Sequence, residues 1–96
     1  MSKATRLGDL NTGHDSCPPV ALVTGSPNVF INGRAAGRVG DSYVPHGCHV
    51  HPSHVGKIAS GSSSVFINGK PAGRIGDPVS CGGAVAEGSS NVFIGG

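Results

Sequence analysis

The chain has no tryptophan, one tyrosine, one methionine and three phenylalanines among its 96 residues. So little bulky apolar material excludes a large oily core, and a domain of this length already buries a smaller share of its surface than a longer one. Only 12% of the residues are charged, low for a soluble domain. The seven basic residues are scattered and the net charge is +2, which leaves no basic stripe for a nucleic acid. No apolar run approaches the roughly 20 residues that span a bilayer. The opening Met-Ser-Lys-Ala-Thr-Arg lacks the apolar stretch of a signal peptide, so any export is expected to use another route. A small scaffold with these deficits needs a staple other than hydrophobic burial.

What the chain does have is glycine and proline, 17 and 7 residues, a quarter of the total. Turns and extended segments must therefore dominate over helices. It also repeats itself. Ser26–Asp41 reads SPNVFINGRAAGRVGD, and Ser62–Asp77 reads SSSVFINGKPAGRIGD. Val-Phe-Ile favours a strand. Asn32-Gly33 and Asn68-Gly69 follow it at once, and Asn-Gly suits a two-residue hairpin turn in which both central residues take positive φ. The return strand is expected to run through Arg38-Val39 and Arg74-Ile75 until Gly-Asp stops it.

The ends complete the pattern. Ala4–Asp9, ATRLGD, matches the second half of a unit, and Ser89–Gly96, SSNVFIGG, matches the first half. Together they supply a third hairpin whose strands come from opposite ends of the chain. A unit of this size cannot bury its apolar face alone and needs its neighbours. An open solenoid competes with a closed ring, but the split third unit argues for closure. The expected fold is all-β, with three hairpin repeats closed around an approximate threefold axis and few or no helices.

A potential metal ligand follows each Gly-Asp at a similar offset: His14 and His46 five residues after the Asp, and Cys81 four residues after it. Threefold closure would bring three such positions to one point. Zinc takes four ligands, commonly thiolate sulfur and imidazole nitrogen in a tetrahedron. The longest loop, HGCHVHPSHVG, offers the fourth as His49, His51 or His54, of which His54 is favoured because it directly precedes the next strand. The expected cofactor is thus one structural zinc, or a similar metal such as iron, held by His14, His46, His54 and Cys81. Cys17 and Cys48 remain as bystanders. A structural disulfide between them is less expected without a secretory signal, and Cys48 beside His46 and His49 is an alternative ligand.

These features resemble PAAR-repeat proteins. The motif of that family stands here in variant form as Arg34-Ala35-Ala36-Gly37-Arg38 and Lys70-Pro71-Ala72-Gly73-Arg74, beside RLGD, the repeated VFING and GDPVSCGG. The departure is a glycine before each of these two arginines. The resemblance implies a cone-shaped tip seated on the blunt end of a trimeric VgrG-type spike, with the metal near its point. It implies membrane piercing during type VI secretion, one chain per trimer, and effectors as further partners. It also implies a single domain over residues 1–96 without a toxin extension. Location would be cytoplasmic during assembly, then export through the type VI apparatus. A phage tail tip is mechanically the same object.

Two other classes compete. A zinc hydrolase would need a general base, for which only Asp15 beside His14 is placed, since Asp9, Asp41 and Asp77 read as turn caps. A Cys81 nucleophile paired with His14 or His46 lacks an orienting group. An adhesive module binding sugar would need aromatic platforms, and Tyr43 is the only aromatic outside the strands that looks exposed. Neither rival is favoured, and no enzyme is expected.

Overall fold

Asn32 and Gly33 take φ of 55° and 78°, and Asn68 and Gly69 take 55° and 77°, so each Asn-Gly pair closes a tight turn of the type that matches strand twist. The computed structural model describes residues 1–14, 17–48 and 51–96, the side chains of residues 47, 48 and 51–53 excepted. Among the described residues it contains eight short strands and no helix: β1 (Ser2–Lys3), β2 (Phe30–Ile31), β3 (Arg34–Ala35), β4 (His46–Cys48), β5 (His51–His54), β6 (Phe66–Ile67), β7 (Lys70–Pro71) and β8 (Phe93–Ile94). β2 pairs antiparallel with β3, Phe30 opposite Ala35. β6 pairs in the same way with β7, Phe66 opposite Pro71. The third hairpin forms from the two ends, β1 against β8, with Lys3 opposite Phe93.

The return segments depart from the expected course. Each stays with its own partner strand for two residues and then crosses to the next unit. Arg38 bridges Ala72, Arg74 bridges Ala4, and Arg6 bridges Ala36. These three links run from one unit to the next and back to the first, so the ring is closed and an open solenoid is excluded. Between the bridged residues lie Thr5, Gly37 and Gly73. The Gly37 N–H donates to Thr5 O (3.0 Å), Gly73 N–H to Gly37 O (2.9 Å), and Thr5 N–H to Gly73 O (3.1 Å). The cycle satisfies three buried backbone donors that hairpins this short leave without partners.

Each arginine that forms a bridge also opens a turn. In Arg6–Asp9, Arg38–Asp41 and Arg74–Asp77 the aspartate N–H donates to the arginine carbonyl at 2.9–3.1 Å, with Gly8, Gly40 and Gly76 at φ of 90–93° in the position such turns reserve for glycine. Each carboxylate accepts from the backbone N–H, Nε and Nη2 of its arginine, at 2.7–3.0 Å in the second unit. The remaining guanidinium nitrogen reaches the neighbouring hairpin turn: Arg6 to Asn32, Arg38 to Asn68, Arg74 to Gly95 O. The first serine of each unit, Ser26, Ser62 or Ser89, donates to the same acceptor sites at 2.6 Å, permuted around the ring. The repeated Ser, Asn, Arg and Asp are thus the fasteners between units.

Alternation along the strands sends Ile and Phe to opposite faces. Ile31, Ile67 and Ile94 pack with Ala4, Ala36 and Ala72 in one buried cluster, whereas Phe30, Phe66 and Phe93 stay 59%, 56% and 47% exposed. A second cluster holds Leu22, Tyr43, Ile58, Val79 and Val85. The overall extents are 36 × 23 × 23 Å, an elongated body. Tyr43 contradicts the expectation of an exposed aromatic: it is fully buried, because the segment after Gly40-Asp41 turns inward and pairs with Leu22 and Gly56. Burial first, and then the charges of Asp9 and Asp77, push its phenol above the usual value of 10.0. The folded state keeps a proton that the unfolded chain releases, so stability present below about pH 10 falls as pH rises beyond it. Denaturant melts between pH ~9 and ~11 should show that slope in the wild type and lose it in Tyr43→Phe.

Candidate metal centre

The loop after Asp41 forms a hairpin that the sequence did not announce. β4 pairs antiparallel with β5, His46 directly opposite His54, with a register shift between His46 and Cys48. Directly opposed residues hold their Cβ atoms about 5 Å apart, and the two imidazole centroids lie 4.3 Å apart. His14 arrives from the first Gly-Asp loop, fixed by a backbone bridge in which Cys17 N–H donates to His14 O (2.8 Å) and His14 N–H to Cys17 O (3.2 Å). Its ring lies 5.4 Å from that of His46 and 5.1 Å from that of His54. Cys81 comes from the third loop, where Ser80 N–H donates to Lys57 O and Gly82 N–H to Val79 O. Close approach there requires glycine: a Cβ on Gly56 would stand 2.7 Å from Cys81 Sγ.

One ligand atom from each of His14, His46, His54 and Cys81 lies within 4.8 Å of the others. Cys81 Sγ is 3.8 Å from His14 Nδ1. Donors around a tetrahedral zinc, at about 2.0–2.3 Å from the ion, sit roughly 3.5 Å from one another, so the group needs only slight contraction to close on one. His46 supplies a direct test of fit. Its Nδ1 faces Val44 O at 3.3 Å, while its Nε2 is buried without a hydrogen-bond partner among the described residues. A ring whose one nitrogen is oriented by a carbonyl presents the other to a metal. The residues fit a divalent ion with a mixed nitrogen and sulfur shell.

His49 and Asp15 lie outside the described residues, as do the side chains of His51 and Cys48. Cys17 is not a bystander: it is disulfide-bonded and buried, while Cys81 is free. The absence of a secretory signal, which argued against a disulfide, carries no geometry, whereas the His14–Cys17 bridge does. Asp9, Asp41 and Asp77 each hold an arginine at 3.0–3.1 Å; they are turn caps and ion-pair partners. The functional element missed from sequence is the β4–β5 hairpin, since HGCHVHPSH has neither an Asn-Gly turn nor clean alternation.

Residues 50–96 match the family model described as the PAAR motif. No curated protein matches the chain. The matched span contains the second unit and the closing Ser89–Gly96, and Ser26–Asp41 writes the same unit upstream.

Proposed function

We propose that this PAAR-repeat protein is the non-enzymatic tip of a type VI spike, one chain capping the blunt end of a VgrG-type trimer. The observation that carries this reading is the ring of three equivalent hairpins, each presenting an exposed phenylalanine. A single chain with approximate threefold symmetry offers the same apolar contact to each of three identical subunits. Exposed phenylalanines on short strand edges are a liability in an isolated molecule and become a binding surface against a partner that covers them.

The His14, His46, His54 and Cys81 group would hold one zinc in a structural role. Four protein ligands complete a tetrahedron and leave no open position for a reacting water, which supports a staple over a hydrolase. Such an ion would order three loops that meet with few apolar side chains among them. Assembly in the cytoplasm followed by export with the spike, through the type VI apparatus and without a signal peptide, belongs to the same reading.

The test separates docking from folding. Phe30→Asp and Phe66→Asp alter side chains that are more than half exposed, so thermal stability should change by less than about 1 kcal/mol. Capture of the candidate VgrG-type trimer should fall at least tenfold. Native mass spectrometry of the wild-type complex should give one chain per three spike chains. Three copies per trimer, or undiminished capture by the aspartate variants, would overturn the proposal.

A further inference from the structure

Three cations, Lys3, Arg6 and Arg34, converge on a cleft of about 440 Å³ whose anions are Asp9 and Glu87, a volume in the range of small-ligand sites. Asp9 is buried and serves two guanidiniums at once, Arg6 Nε at 3.0 Å and Arg34 Nη2 at 3.1 Å. One positive charge is therefore left over at that end. Arg34 Nε donates to Leu7 O at 2.8 Å, so the plane of the guanidinium is set and Nη1 remains for a ligand. Its side chain stays 40% exposed. Lys3 is anchored through its carbonyl, which accepts from Ile75 N–H at 3.0 Å, while the residue itself is exposed. Glu87 accepts from Leu10 N–H through Oε1 at 2.9 Å, which leaves Oε2 to take a further donor.

These charges belong to one of three equivalent sides. Lys3 precedes Ala4 where the other units have Ala35 before Ala36 and Pro71 before Ala72. Glu87 stands two residues before Ser89 where the others have Thr24 before Ser26 and Ser60 before Ser62. At Asp41 the Thr24 hydroxyl donates to Oδ1 at 3.0 Å, the oxygen that Arg34 meets at Asp9. Lys3 and Glu87 are not among the Ser, Asn, Arg and Asp fasteners that close the ring, yet these departures from the repeat meet in one place.

We propose that this cleft is a docking site for an extended acidic segment of a partner protein. An Asp or Glu side chain of that segment lies against Lys3 and Arg34, and one of its backbone N–H groups donates to Glu87. Arginine suits a carboxylate because its planar fork meets both oxygens. A symmetric trimer would meet these charges on one side in three, so the occupant is a single, asymmetric partner. The site goes beyond the spike reading and does not depend on it.

The experiment follows the amide chemical shifts of the full chain during titration with a blocked tetraglutamate peptide, its tetraglutamine counterpart and inorganic phosphate. Tetraglutamate should move the amides of Lys3, Arg34 and Glu87, and tetraglutamine should move none of them. Binding should weaken about fivefold or more in Lys3→Glu, where an exposed attraction becomes a repulsion. Lys70→Glu makes the same charge change on the second hairpin and should bind as the wild type does. Equal weakening in both variants would overturn the proposal, by showing attraction to net charge alone. Shifts of the three amides with phosphate but not with tetraglutamate would overturn it in favour of a free anion. No shift with any probe would overturn it outright. If Lys3→Glu fails to fold, the wild-type titration decides, since movement at Lys57 and Lys70 in place of Lys3 and Arg34 would overturn the assignment. Capture of the spike trimer is read separately, so either reading can fail while the other stands.

Discussion

Cys81→Ser is expected to abolish stoichiometric retention of the proposed zinc and to lower the melting temperature by roughly 15 °C or more. A serine hydroxyl stays protonated at neutral pH and cannot replace a thiolate, so the substitution removes the soft donor and the anionic charge together. A structural zinc contributes about 10–16 kcal/mol in small metal-dependent folds. In a domain of this size about 1 kcal/mol moves the melting temperature by 4–8 °C. Forfeiting even a quarter of that contribution would dominate every other single substitution near the site. Metal analysis of the purified variant and a thermal melt check the result, and chelator treatment of the wild type should reproduce it. Unchanged metal content and melting temperature would show that Cys81 holds no ion.

Gly37→Val and Gly73→Val should each cost about 3 kcal/mol or more, read as a melting temperature lower by at least about 12 °C. The reason lies at the pseudo-threefold axis. Thr5, Gly37 and Gly73 occupy equivalent positions in the hydrogen-bonded cycle, and only Thr5 carries a side chain there. A Cβ on Gly37 would meet Thr5 Cγ2 at 2.7 Å and Leu22 Cδ2 at 2.9 Å, and one on Gly73 would meet Ile58 Cδ1 at 3.0 Å and Thr5 Cγ2 at 3.1 Å. The axis has room for one side chain, and the Thr5 hydroxyl is committed to Glu87 O at 3.0 Å. Thr5→Ser keeps that hydroxyl and removes the obstructing methyl. Combined with Gly37→Ala it should restore part of the loss, a coupling of about 1 kcal/mol. Strict additivity, or tolerance of both valines, would show that the axis is looser than these distances indicate.

The hairpins were legible because Asn-Gly leaves few choices to the backbone, and Asn32 and Asn68 adopt the angles the dipeptide demands. The third hairpin was legible because its halves kept the repeat's wording at Ala4–Asp9 and Ser89–Gly96. The crossing of each return strand to the next unit was not. Val39 and Ile75 look like a continuation of the same strand, and only the glycines before Arg38 and Arg74 hinted at a close approach. Tyr43 looked exposed because it stands outside the Val-Phe-Ile strands, whereas its burial follows from pairing with distant Leu22 and Gly56. The threefold pattern pointed to His14, His46 and Cys81. His54 was favoured for its place before the next strand, but the hairpin that sets it opposite His46 has no recognisable turn signature. A cysteine's redox state is not written in its neighbours, so the bond at Cys17 required the positions of the loops.

The pairing of β1 with β8 sets Ser2 opposite Ile94, so two segments far apart in sequence meet within one of three interchangeable hairpins. The ring has a seam but no architectural first element. Ser2 and Gly96 could be joined through a short linker and new ends opened at Asn32-Gly33 or Asn68-Gly69, with the same bridges and fasteners re-forming around a relocated break. Such circular permutants would move the point of fusion for any passenger from one side of the molecule to another by about a third of a turn, without changing the face that carries the phenylalanines.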